Sequence, residues 1–397
     1  MFERLAHEYS MRGCDVQVLS LDTYHAGILA TPNIARKSGI PITFLPMIAM
    51  GTFRFRRLTI LTVPSLPGIR LTLRLLRGQA WDAVHIHGVP LTPWCDIVII
   101  LARLRGIRVV ATVHLVDPQV ESTVSLLRVA HKLWLYLQRA LYRHVSCITG
   151  VSTHVMKQMA SAGLKSRNDI VVPLAGPDPE ELMPPVSTKL GLEPLGLVDH
   201  SFALTFGSII PRKGQELLVA AVSRLVAEKE LPAGFRFVIA GSDLSTGFSE
   251  HIVELIRKLN LTDRVLVLDG VDVATRDVLY RGCAFVILPS LDEGSPMVMW
   301  EGMTRGLPII ASDIPPVREA MGPSLSLLLF TSGDLGALSR SIVQLLCDRN
   351  LREEIGKNAR LRAKQMPSWA SVVNTYMAAL LPHLDSRDTI DRPALEP

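Results

Sequence analysis

Short runs of β-branched and apolar residues alternate with longer amphipathic stretches along almost the whole chain, and that alternation leaves few folds open. In the first half "CDVQVLSL" (14–21), "AVHIHG" (83–88), "RVVATVH" (108–114), "VSCITGVS" (145–152) and "DIVVPL" (169–174) read as strands. In the second half "SFALTFGS" (201–208), "FRFVIAGS" (235–242), "RVLVLDG" (264–270), "AFVILPS" (284–290) and "PIIASD" (308–313) read the same way. Stretches such as "GQELLVAAVSRLVAEKE" (214–230) lie between them, with apolar residues at helical spacing. Strands separated by helices pair in parallel and are covered by those helices. The 397 residues exceed one ordinary core, so two α/β domains are expected. The Pro-, Gly- and polar-rich segment "PDPEELMPPVSTKLGLEPLG" (177–196) is the natural linker. Two such domains enclose a cleft, and open parallel sheets bind ligands beyond the carboxyl ends of their strands.

Composition narrows the function classes. A chain 48% hydrophobic and 20% charged is globular. No apolar run reaches the ~18 residues of a membrane span, and "MFERLAHEYSMRGC" lacks the layout of a signal peptide, so the cytoplasm is the expected compartment. The five cysteines are scattered and never form a CxxC pair, which suits reduced core thiols. No Asp-x-Asp pair of the kind that clamps a metal diphosphate occurs. Residues 1–195 carry 21 Lys/Arg against 13 Asp/Glu, whereas 196–397 carry 21 against 24. Within the basic half, 52–78 holds six arginines and no acid. Such a stretch suits the anionic inner face of a membrane as a peripheral contact, or a solvated helix whose arginines snorkel. No recognition motif accompanies the charge, so nucleic acid is not an expected partner.

The chemistry-bearing residues follow the strands. In "SLDEGSPMVMWEGM" (290–303) Glu293 falls in a loop and Glu301 eight positions later in a helix. Ser295 is a candidate N-cap and Pro296 the first helical residue, with the helix running to about Arg305 and stopping at Gly306. The free N–H groups of that helix suit phosphate, and Glu301 leans back toward the same end. A carboxylate also suits vicinal hydroxyls. Charge near the helix dipole would account for Glu293 by itself, at about 0.3–1 kcal/mol, but not for a Glu301 that follows "PMVMW". In "FGSIIPRKGQELLVAA" (206–221) Gly207 and Ser208 end a strand, and Arg212 and Lys213 sit in the turn before a helix. Two cations there would neutralise a diphosphate. His87 and His114 end strands in the first half, each suiting either a functional role or a hydrogen-bonded cap.

The stretch "PSLDEGSPMVMWEGMTRGLPIIASDIPPVRE" resembles the donor-binding signature of the retaining glycosyltransferases of family 4. The resemblance implies the GT-B fold: two Rossmann-like domains facing across a cleft, the nucleotide sugar held mainly by the second. It places the first domain at 1–180 with a returning helix at 368–385, the linker at 181–198, the donor domain at 199–367 and a frayed tail at 386–397. It implies that Glu293 contacts hydroxyls of the donor sugar and that Glu301 holds the ribose. Backbone amides around Gly294, Ser295, Pro296 and Met297 would meet the sugar and diphosphate, beside Gly207 and Ser208. Arg212 and Lys213 would serve the diphosphate, and His114 would lie near the transferred sugar. The implied reaction is metal-independent transfer, with retention, from a nucleotide-sugar donor to a glycan, lipid-linked or small-molecule hydroxyl, without a separate cofactor.

This sequence departs from the family pattern in three places. Ser208 stands where the family has arginine, and "VVPLAGPDPEEL" replaces Pro-Asn-Gly with Pro173-Leu174-Ala175-Gly176. Family chains open with a strand and a Gly-rich turn; this one opens in a helix whose buried face is Phe2, Leu5, Ala6 and Tyr9, ended by Gly13. The expectation is an internal start or a fragment. Two rival readings are an inactive nucleotide-sugar-binding protein of the same fold and a GT-B nucleotide-sugar epimerase. A nicotinamide oxidoreductase is disfavoured, since no GxGxxG follows any strand.

Overall fold

The structure is a computed structural model that describes residues 2–16, 18–21, 42–45, 47–49, 62–64, 73, 81–88, 93–116, 125–176, 191–243 and 247–382. The chain divides into two compact units, Met1–Pro173 with Ala370–Pro397, and Leu174–Trp369. Residues 181–190 of the expected linker, the expected tail at 386–397, and all of the basic stretch 52–78 except 62–64 and 73 lie outside the described residues. Among the described residues no helix is long and apolar enough to cross a membrane.

The second unit is a parallel sheet. Its strands are β9 (Phe202–Phe206), β10 (Arg236–Gly241), β11 (Val265–Asp269), β12 (Phe285–Leu288), β13 (Ile309–Ser312) and β14 (Leu329–Phe330). They pair in the order β11-β10-β9-β12-β13-β14, every pair parallel. Every residue of β12 and β13 is buried, as strands covered on both faces must be. The chain winds outward from β9 through β10 to β11, then returns to lay β12 against the other side of β9. Winding therefore reverses between β9 and β12, the point where an open α/β sheet leaves room for a ligand.

The first unit contains a four-stranded parallel sheet in the order β5 (Ala83–Gly88), β6 (Arg108–Val113), β7 (Cys147–Gly150) and β8 (Ile170–Val171). Strand β1 (Val18–Leu21) pairs in parallel with β2 (Ile42–Leu45), and β3 (Met47–Ala49) runs antiparallel to β4 (Thr62–Pro64). The first helix spans Phe2–Met11 and buries Leu5, Ala6 and Tyr9, the face its periodicity predicts. Near the other end of the chain, the helix Trp369–Leu380 packs into this unit. There Arg108 Nε donates to the Ala379 carbonyl oxygen (2.6 Å), and Cys14 Sγ lies 3.9 Å from Met377 Sδ.

Candidate active site

Two strand-end segments meet at the switch point. After β9 the chain passes through Gly207 and Ser208 into a 3₁₀ turn, Pro211–Lys213, and then into the helix Gln215–Ala227. Gly214 joins turn to helix at φ +70°, and a Cβ there would run into the carbonyl oxygen of Pro289. Only glycine combines that backbone with so close an approach, and Pro289 is the residue just after β12. The buried side chain of Gln215 donates to the Ser208 carbonyl oxygen (2.9 Å) and closes the β9 turn on itself. Leu291 N–H donates to the Arg212 carbonyl oxygen (2.8 Å), and Arg212 Nη1 donates to the Asp292 carbonyl oxygen (2.6 Å). The two segments are thus stitched together before any charged pair forms.

Glu293 sits inside this seam with 4% of its surface exposed. Its Oε1 accepts from Lys213 Nζ (2.6 Å) and from the fully buried Ser290 hydroxyl (2.7 Å). Arg212 Nη1 stands 3.7 Å from its Oε2. A carboxylate this deep must be paired, so attraction to a helix dipole alone does not describe Glu293. The structure brings three predicted residues, Arg212, Lys213 and Glu293, to one point.

The helix start departs from the expectation. The helix spans Met297–Thr304, and Pro296 is its N-cap (φ −79°, ψ 88°) with no side-chain capping bond. Ser295 therefore does not cap, and Pro296 is not helical. The entry angle is set upstream by bonds from Leu291, Ser290 and Glu293 to one another and to the β9 turn, and these tertiary ties override local capping preference. Gly306 does lie just past the end, at φ +73°. The first N–H groups of a helix have no partner inside it, so those of Met297 and Val298 face out of its start, next to Gly294 and Ser295.

Glu301 is one full turn further along. Arg276 Nη1 donates to its Oε1 (3.2 Å), and its backbone carbonyl oxygen accepts from Arg305 Nη1 (3.0 Å). Arg276 belongs to the helix Val273–Gly282, whose buried Tyr280, one turn on, donates its hydroxyl to the Val298 carbonyl oxygen (3.2 Å). Burial first, and then the charge of Glu301, push the Tyr280 hydroxyl well above its ordinary pKa. Behind Tyr280, buried Asp277 accepts from Arg281 Nε (2.6 Å) and Arg305 Nη2 (2.8 Å). Burial opposes ionisation of Asp277, but those two guanidiniums outweigh it and hold its carboxyl below the usual range. The sequence reading missed Ser290, Arg276, Asp277, Tyr280 and Arg305. The Asp277–Arg281 pair has legible i,i+4 spacing, whereas nothing links Arg276 to a glutamate 25 positions away.

His114 belongs to the first unit, just past β6. One of its ring nitrogens, Nε2, lies 3.2 Å from His87 Nδ1. The rings of His87 and His85 lie tilted at 44° with centroids 4.0 Å apart. His85 connects to Tyr9 (2.9 Å) and Thr112 (2.7 Å), and Thr112 to Thr149 (2.6 Å). Burial lowers all three imidazoles: His85 to about 3, His114 to about 4, and His87 well below the usual value. They are neutral at physiological pH.

The family model described as "Glycosyl transferases group 1" matches residues 195–362, and "Glycosyl transferase 4-like domain" matches 1–175. The chain belongs to the group 1 glycosyltransferases. The 195–362 match contains Arg212, Lys213, Glu293 and Glu301. A D-inositol 3-phosphate glycosyltransferase of Salinispora tropica is 28% identical over 187 residues, 46% of this chain and 39% of that protein. An MMP alpha-(1->4)-mannosyltransferase of Mycolicibacterium hassiacum is 28% identical over 224 residues, 56% of this chain and 53% of that protein. The chain thus spans about two-fifths to one half of the length of these curated relatives. Among solved structures, Anabaena HepE in complex with UDP-glucose superposes with a TM-score of 0.70 at 17% identity, covering 96% of each chain. A sucrose-phosphate synthase of Thermosynechococcus elongatus gives 0.67 at 18% identity, covering 91% of this chain and 96% of that one. The two parallel-sheet α/β units are those of the GT-B glycosyltransferase fold.

Proposed function

We propose that this glycosyltransferase chain moves a sugar from a nucleotide-sugar donor to an acceptor hydroxyl, with retention of anomeric configuration and without a metal ion. The observation that carries the proposal is the convergence of Arg212 and Lys213 on Glu293 at the β9/β12 switch point. The cations, with the free N–H groups at the start of the helix Met297–Thr304, form a seat for a diphosphate. Cationic stabilisation of the leaving diphosphate does the work that a divalent cation does elsewhere. Glu293 has two tasks: its pairing keeps Lys213 at the seat, and its carboxylate accepts from sugar hydroxyls. Glu301 holds the ribose. In this reading the leaving phosphate itself takes the acceptor proton on the face it departs from, which preserves configuration. His114 enters through the family resemblance, as a neutral imidazole near the transferred sugar. Nucleotide sugars are the donor class, as in the UDP-glucose complex of the HepE fold relative.

The test is release of nucleoside diphosphate from a panel of nucleotide sugars, with a panel of glycan, lipid-linked and small-molecule acceptors, in the presence of a chelator. The anomeric centre of the product is read by NMR. Transfer should survive chelation, and Lys213→Ala should reduce it by about 100- to 1,000-fold, the usual cost of removing one charge-stabilising donor. Full transfer by Lys213→Ala would overturn the site assignment. An inverted product would overturn retention.

A further inference from the structure

Glu301 and Arg276 form an ion pair that is only half made. Arg–carboxylate pairs are commonly bidentate, two parallel N–H groups meeting two oxygens. Here a single bond joins them, Nη1 to Oε1 at 3.2 Å. The other half of each group is buried without a partner: Arg276 Nε on one side and Glu301 Oε2 on the other. The Tyr280 hydroxyl stands beside the carboxylate and interacts with it, but the geometry directs its one proton to the Val298 carbonyl oxygen (3.2 Å) and leaves Glu301 Oε2 without a hydrogen bond. Arg305 does not complete the carboxylate either, because it is engaged with Asp277, with the backbone of Glu301 and, 4.9 Å away, with the face of Tyr280. A buried N–H that needs an acceptor therefore adjoins a buried carboxylate oxygen that needs a donor.

A group that both accepts and donates satisfies both at once, and a hydroxyl is the one that a ribose offers. A hydroxyl accepts from an N–H and donates to a carboxylate oxygen. A phosphate could meet only the arginine, and an ammonium only the glutamate. Taken with the assignment of Glu301 to the ribose, on which this inference rests, we propose that Arg276 is a second ribose-reading residue. Its Nε–H and Glu301 Oε2 together hold one ribose hydroxyl of a nucleoside diphosphate, and this pairing makes the site select ribonucleotides over deoxyribonucleotides. Helix Val273–Gly282 builds the arrangement locally. Asp272 caps it through Thr275 N–H (2.8 Å), and the i,i+4 pair Arg276 and Tyr280 faces the helix that carries Val298 and Glu301.

Calorimetric titration of the full chain with UDP, GDP and ADP identifies the tightest binder, which is then compared with its 2′-deoxy and 3′-deoxy forms. The wild-type chain should bind at least one deoxy form about tenfold or more weakly, as loss of a hydrogen bond to charged groups predicts. Arg276→Leu should bind the ribonucleotide about tenfold more weakly while leaving the affinity for that deoxy form unchanged, so that discrimination disappears. Arg276→Lys keeps the charge but has no N–H at the Nε position, and it should lose discrimination too. The lysine variant carries the test if thermal melting shows that the leucine variant is not folded. Ribose discrimination that survives in a folded Arg276 variant overturns the proposal. Equal wild-type affinity for ribo and deoxy forms overturns it while leaving the donor site standing. Failure of the wild-type chain to bind any of the three nucleotides overturns the donor site, and this inference with it.

Discussion

The two units differ in what holds their central polar clusters together. In the second unit the buried carboxylates are paired with cations: Glu293 with Lys213, and Asp277 with Arg281 and Arg305. In the first unit the network is neutral: Tyr9, His85, Thr112 and Thr149 are linked by bonds of 2.6 to 2.9 Å with the His87 ring tilted against His85, and even the buried Asp96 is held by the neutral donors Trp134 and Gln138. A buried charge is tolerable only beside a fixed countercharge. A neutral imidazole needs one donor and one acceptor, so a chain of hydroxyls and imidazoles satisfies itself by running in a single direction. The ionic unit is thus preset to meet a charged ligand. The neutral unit is held together by bonds that protonation would break.

The largest expected effect tests the ionic side. Glu293→Ala leaves Lys213 half-buried beside an unpaired Ser290 hydroxyl, and breaking a buried pair costs about 3–5 kcal/mol. Glu293→Gln keeps an acceptor for both neighbours and should cost about 1–2 kcal/mol. Urea unfolding followed by hydrogen exchange at 202–206 and 285–288 separates the two. A loss below about 1 kcal/mol in the alanine variant would mean that the pair contributes little to the fold of this unit.

Acid tests the neutral side. The histidine pKa values lie below the unfolded value of ~6.5, so below that pH the unfolded chain binds protons that the folded chain refuses. The stabilisation is complete above about pH 6.5 and is lost as pH falls. The loss continues to about 4 for His114 and about 3 for His85, where the folded forms also protonate. The slope is about 1.4 kcal/mol per pH unit for each histidine that stays neutral. Between pH 6.5 and 4.5, exchange protection should fall in 83–88 and 108–114 while 202–206 and 285–288 keep theirs. Parallel loss in both units would erase the contrast.

Much of this was legible in the sequence, and the misses share a cause. "AVHIHG" is β5 to the residue, and "FRFVIAGS" loses one residue at each end, because period and β-branching are local properties. Arg212, Lys213, Glu293 and Glu301 were found because a motif marks strand ends in order. The start of the helix Met297–Thr304 was misread because the β9 turn, 80 residues upstream of Glu293, holds the loop before it. Arg276 and Tyr280 were missed for the same reason, since their partners lie on another helix. The histidines were visible as strand ends, but their chain through Tyr9, Thr112 and Thr149 crosses elements far apart in sequence and exists only after folding.

The smallest expected effect is the sharpest, because it compares two single hydroxyls of equal burial. Ser290 and Thr149 are both fully buried; Ser290 bonds a carboxylate (2.7 Å), and Thr149 bonds Thr112 (2.6 Å) beside the Tyr376 hydroxyl. Ser290→Ala removes a bond to an ion and leaves Glu293 dependent on Lys213 and Arg212, so the loss should be about 2 kcal/mol. Thr149→Val removes a neutral bond with nearly unchanged shape, and Thr112 keeps His85 as a partner, so the loss should be about 1 kcal/mol. Differential hydrogen exchange on each unit reads both losses against the same wild-type chain. Ser290→Ala should be the costlier change at neutral pH. The gap should narrow in acid, where protonated histidines weaken the chain to which Thr149 belongs. A gap that stays constant with pH would show that Thr149 is independent of the histidines, and that the neutral chain is a set of separate bonds rather than one unit.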